Sequence, residues 1–102
     1  MVLHAVFFKV RAAVSEHETR RVLAALAALQ GKIDGLIAVD TGPNIDLESK
    51  SPGYSHGFVM RFETRAALEA YATHPAHLAA ATALVAICEG GAEGITVFDL
   101  AL

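Results

Sequence analysis

Cysteine is nearly absent. Cys88 is the single thiol, so no disulfide can form within the chain, and a solitary cysteine fits a reducing compartment. It reads as a small buried hydrophobe rather than a nucleophile. Charge is sparse as well: charged residues make up 19% and the formal net charge is −3, with the basic residues scattered. That lacks the electrostatic footprint of a nucleic-acid binder. No apolar run approaches the ~20 residues that span a bilayer, and MVLHAVFFKV carries neither a basic leader nor a small-residue cleavage site. The expectation is a cytoplasmic protein with no membrane partner. No glycine-rich phosphate loop leads from a strand into a helix, and no Ser-His-Asp or Cys-His order is present.

Apolar residues, by contrast, are 54% of the 102, which places the chain among globular proteins with one domain over 1–102. Val2 to Val10 is rich in β-branched and aromatic residues and predicts a strand, with His4, Val6, Phe8 and Val10 on one face. Ser15-Glu16-His17-Glu18 is a helix-start signature, predicting a helix to about Gln30 closed by Gly31. Its apolar stripe is Val22, Leu23, Leu26 and Leu29. Ile33 to Thr41 predicts a second strand. The polar segment 42–53, with two prolines, predicts a loop that is either mobile or a lid. Tyr54 to Phe62 predicts a third strand, presenting His56, Phe58, Met60 and Phe62 on one face. Thr64 caps a short helix that ends at His74, because Pro75 disfavours helical geometry in the residue before it. Pro75 then opens a new helix to about Cys88, GGAEG turns the chain, and Ile95 to Leu100 predicts the last strand.

The order β-α-β-β-α-β, its second helix broken in two, predicts an α+β fold of the ferredoxin-like kind: a four-stranded antiparallel sheet with its helices on one face. Leu3, Phe7, Val59, Phe98 and Leu100 then fall on the helix-free side. At ~25 cal/mol per Å2, wetting several such side chains forfeits several kcal/mol. A second copy laid sheet to sheet removes that cost, so the expected partner is a homodimer mate.

The segment YATHPAH gathers proton-handling groups at the helix break. His77 falls in the first turn of a helix, whose dipole disfavours a cationic imidazole, and a neutral imidazole suits a general base. Tyr71, one turn before the break, can donate its hydroxyl to a carbonyl oxygen as charge develops there. Strand and helix directions suggest that His56 meets His74, whereas His4 falls nearer the other end of the sheet. A structural reading stands beside each of these: His74 as a helix cap, Tyr71 as core, and His56 with His77 as a buried hydrogen-bonded pair. The spacing matches no metal motif, so no metal and no cofactor is expected.

Three stretches carry a resemblance to a known family: LHAVFFKV at 3–10, YSHGFVMRFET at 54–64 and ALEAYATHPAH at 67–77. With them the chain resembles the stress-responsive dimeric α/β-barrel (Dabb) domain family over nearly its full length. The resemblance implies a ferredoxin-like dimer whose members have no settled activity. It also implies a distant similarity to plant polyketide cyclases of the olivetolic acid cyclase type, which close a linear polyketide by intramolecular aldol condensation without metal or cofactor. Carried over, Tyr71 and His77 take the chemistry, and His4, His56 and His74 line a pocket between sheet and helices. The remaining pocket wall would be Val6, Phe8, Leu23, Leu26 and Phe58, residues that would serve equally as solid core. The functions left open are cofactor-independent aldol or cyclase chemistry on a small hydrophobic or aromatic molecule, a non-enzymatic stress-associated dimer, and a flavin-free monooxygenase-like barrel.

Overall fold

A computed structural model describes residues 1–102 in full. The elements are β1 (Val2–Phe8), α1 (Glu16–Ala27), β2 (Leu36–Pro43), β3 (His56–Phe62), α2 (Arg65–Ala72), α3 (Pro75–Ile87) and β4 (Ile95–Ala101). The strands form one antiparallel sheet in the order β2-β3-β1-β4, with the helices on one of its faces. This is the ferredoxin-like arrangement expected from the element order.

The caps lie where the sequence puts them. Ser15 Oγ accepts from the Glu18 amide at 3.1 Å and Thr64 Oγ1 from the Ala67 amide at 3.1 Å. Each satisfies a first-turn donor that has no helical partner. His74 supplies the third cap: its Nδ1 accepts from the Ala76 amide at 3.0 Å, and Pro75 begins α3.

Several boundaries differ from the sequence reading, among them the start of β3, which opens at His56 rather than Tyr54. β1 stops at Phe8, and Val10 makes only an isolated bridge to Cys88. α1 tightens into a 3-10 turn over Ala28–Gly31. The left-handed glycine that redirects the chain is Gly35, at φ +80°, and not Gly31. A Cβ built on Gly35 would stand 2.6 Å from Ala67 Cβ, so α2 is seated against bare backbone there. This delays β2 to Leu36, leaves Ile33 as core ahead of it, and carries the strand on to Pro43.

The core forms where Val6, Phe8, Phe58, Met60 and Phe62 on the sheet meet Val22, Leu23, Leu26, Leu84 and Ile87 on α1 and α3. Cys88 joins it. Burial pushes its thiol up to about 11, and Sγ donates to the Leu84 carbonyl, so the thiol behaves as a hydrophobe. On the opposite side of the sheet, register places Leu3 beside Leu100, and Ala5 between Val59 and Phe98. Phe98 is 66% exposed and Leu100 56%, while Phe7 folds its ring over Gly57. The helix-free face is therefore open and largely apolar along β1 and β4, with Arg61 and Asp40 on its β2–β3 side.

Candidate functional site

Between α2, α3 and the β1–β4 half of the sheet lies a cavity of about 690 Å3. Its walls are mostly apolar, and its polar groups converge on one stretch. Four of these come from four separate elements: His4 from β1, Asp99 from β4, Tyr71 from α2 and His77 from α3. Strand register explains the first two. His4 and Asp99 are paired neighbours facing the helices, and His4 Nδ1 lies 2.6 Å from Asp99 Oδ1. A carboxylate only accepts, so Nδ1 carries the proton.

His4 packs among aromatic rings, its centroid 5.7 Å from Tyr71, 6.2 Å from Phe62 and 6.5 Å from Phe58. The Tyr71 ring neighbours a second histidine as well, with the His77 centroid at 4.1 Å. Burial pushes the Tyr71 phenol up to about 12, so it stays protonated and acts as a donor at neutral pH. No hydrogen bond within the protein occupies that hydroxyl, and no fully buried side-chain polar atom goes unpaired. The hydroxyl accordingly opens onto the cavity.

His77 Nδ1 faces the Ala72 carbonyl at 3.1 Å, which fixes the proton on Nδ1 and leaves Nε2 as the acceptor. Its pKa is lowered, first by burial, with the neighbouring His4 and His74 adding smaller effects in the same direction. The bond to the Ala72 carbonyl opposes this without cancelling it. Neutrality of His77 thus owes most to desolvation.

Of the residues singled out from sequence, His4, Val6, Leu26, Phe58, Tyr71 and His77 line the cavity. His74 does not; it is the cap of α3. Phe8 is fully buried core, and Leu23 belongs to a shallow cleft beside α1. His56 lies in that cleft too. It is stacked on Phe8 at 6.1 Å, with Nδ1 3.0 Å from Ser55 Oγ and Nε2 3.6 Å from Glu16 Oε1. The expected meetings of His56 with His74 and with His77 do not occur. β3 pairs Met60 with His4 and His56 with Phe8, and a separation of four positions along a strand spans about 13 Å. α2 begins beside Phe62, at the His4 end, and its eight residues rise only about 12 Å. The helix break therefore sits over His4, the histidine that topology had made doubtful.

Asp99 is a polar lining residue that the sequence reading missed, as are Arg65 and Glu69 on α2. Alternation along ITVFDLA gave the signal: with Phe98 and Leu100 on the open face, Asp99 is a carboxylate on the helix-facing side. The 42–53 segment lines no part of the cavity, so within one chain it is not its lid.

The family model of the Stress responsive A/B Barrel Domain matches residues 2–102. The chain belongs to that family. Among curated relatives, this A/B barrel chain is 28% identical over 98 residues to the stress-response A/B barrel domain-containing protein HS1 of Arabidopsis thaliana, covering 96% of this chain and 86% of the other. Among solved structures, it is similar to a dimeric ferredoxin-like protein of unknown function from Jannaschia sp. CCS1, at 39% identity and TM-score 0.90, covering 99% and 98% of the two chains. A hydroxynitrile lyase from Passiflora edulis superposes with TM-score 0.86 at 19% identity, covering 99% and 92%, a likeness of fold.

Proposed function

We propose that this A/B barrel protein is a homodimer that binds a small hydrophobic or aromatic carbonyl compound and performs cofactor-independent aldol-type chemistry on it. The observation that carries this reading is the pairing of the Tyr71 hydroxyl, open to the cavity, with a His77 held neutral and free at Nε2. His77 Nε2 takes a proton from the carbon beside a carbonyl, and the enolate oxygen that forms accepts a hydrogen bond from Tyr71. The enolate carbon then attacks a second carbonyl. The proton on His77 passes to the new alkoxide, so the step needs neither oxidant nor metal. His4, tied to Asp99, buttresses the Tyr71 ring. The apolar walls Val6, Leu26 and Phe58 suit a hydrocarbon or aryl tail. A hydroxynitrile lyase of the same fold is consistent with carbonyl chemistry on this scaffold.

Dimerisation rests on the open sheet face. The exposed Phe98 and Leu100 and the half-buried Leu3, Phe7 and Val59 form an apolar layer suited to a second copy. The Jannaschia protein, similar over almost its full length, is described as dimeric.

Proton abstraction can be tested without the natural substrate. In D2O, the exchange of α-protons of aryl and alkyl 1,3-diketones is followed by NMR, alone and with protein. The expected result is catalysed exchange that falls on the order of 10^2-fold or more in His77→Ala. If the protein neither binds these ketones nor speeds their exchange, the cluster is structural and the chain is a non-enzymatic dimer.

A further inference from the structure

The connection between β2 and β3 is internally tied. Asp46 Oδ1 accepts from the Lys50 amide at 3.0 Å, the Ser51 amide at 2.9 Å and the Ser51 hydroxyl at 2.7 Å. The Asn44 side-chain amide donates to Ser51 Oγ at 2.9 Å and to the Tyr54 carbonyl at 2.8 Å, and its own oxygen accepts from the Asp46 amide at 3.1 Å. Asp46 and Ser49 take φ of 45° and 57°, a left-handed geometry that persists where the surroundings hold it. On this frame stand Ile45 and Leu47, at 82% and 84% the most exposed large hydrophobics of the chain.

The far end of the connection turns toward the open face of the sheet. The Tyr54 hydroxyl lies 2.6 Å from Thr96 Oγ1, and Thr96 pairs with Phe7 on that face. The Lys9 ammonium stands 4.8 Å over the Tyr54 ring, and Gly53 abuts the Lys9 stem. The tied loop therefore borders the apolar sheet face at its Phe7 end. Area gives the second argument. Four strands of about seven residues give a footprint of about 19 × 23 Å, or ~440 Å2 in plan, and a stable interface takes ~800 Å2 of accessible surface from each partner. A bordering loop that carries exposed Ile45 and Leu47 enlarges the apolar surface available to a partner.

We propose that the 44–54 loop extends that face as a preformed arm whose Ile45 and Leu47 pack against the second copy of this chain. The inference rests on the sheet-face dimer put forward above and adds a contact that the sheet does not contain. Two-fold symmetry doubles every contact, so one arm per chain contributes twice.

Sedimentation equilibrium on the full chain tests it with three variants, each checked for fold by far-UV circular dichroism. The double variant Ile45→Ser/Leu47→Ser is expected to raise the dimer Kd at least tenfold. Asp46→Ala is expected to raise it several-fold while removing no apolar atom, because the arm loses its frame. Phe98→Asp addresses the sheet face separately. A wild-type dimer whose Kd is unchanged in the double variant overturns the arm and leaves the sheet-face reading standing. If the double variant dissociates while Phe98→Asp stays dimeric, the loop makes a contact between copies but the sheet-face reading fails, and the arm as an extension of that face is overturned with it. A wild-type protein that is monomeric at micromolar concentration overturns both.

Discussion

His4 and Asp99, 95 positions apart in the chain, share a hydrogen bond of 2.6 Å on the cavity floor. The bond ties edge strand β4 to β1 and holds the imidazole against Tyr71. An amide oxygen at position 99 still accepts a hydrogen bond, so Asp99→Asn should keep the His4 Nδ1–H tautomer, whereas Asp99→Ala should release it. Nitrogen-detected NMR of the imidazole reports which nitrogen is protonated. The stability cost of Asp99→Ala should be about 1 kcal/mol, because the carboxylate is about half exposed.

The lowered pKa of His77 has a definite sign. The unfolded chain binds a proton at His77 near the ordinary value of 6.5, and the folded chain only at lower pH. The stability this group contributes is fully present above 6.5 and is lost as pH falls through the folded value. Melting temperature followed downward from pH 7 should therefore fall less steeply in His77→Asn than in wild type. Catalysed ketone exchange should rise with pH along a limb centred below 6.5, as the base loses its proton.

His56 is expected to be structural. His56→Ala removes a ring stacked on Phe8 and should cost about 2 kcal/mol in denaturant unfolding. Ketone binding at the Tyr71 cavity, read by NMR shifts, should stay unchanged. A binding loss as large as that of Tyr71→Phe would contradict the separation of the two histidine environments.

Gly35 is expected to be intolerant. Gly35→Ala meets both a φ of +80° and the Ala67 methyl, and should destabilise by about 2 kcal/mol or more in a urea titration. Gly31→Ala meets open space and has an ordinary φ, so it should be close to neutral or stabilising.

Much of the scaffold was legible because local chemistry and packing agree. Ser15 and Thr64 sit before apolar-periodic runs, Pro75 cannot continue a helix, and β1 and β3 are rich in β-branched and aromatic residues. β2 was less legible: Leu36, Ile37, Ala38 and Val39 are apolar in succession, and only the pairing with β3, with its irregularity between Leu36 and Ala38, assigns their faces. Composition could not tell Gly31 from Gly35, since the need for a missing Cβ comes from Ala67, 32 residues away. At the site, Tyr71 and His77 were found through their local motif. His4, Asp99 and His56 depended on which end of the sheet the broken helix covers, and helix length over strand register decides that.

The break at His74–Pro75 does more than end one helix and begin another. Along an uninterrupted α-helix each residue turns 100°, so positions 71 and 77 would point about 120° apart, and only one of them could address the sheet. Interrupting the rod lets the chain swing between them and lay one ring against the other at 4.1 Å. The imidazole–phenol pair is thus a product of a discontinuity: a substitution that fused α2 to α3 would dismantle it while leaving both side chains in the protein.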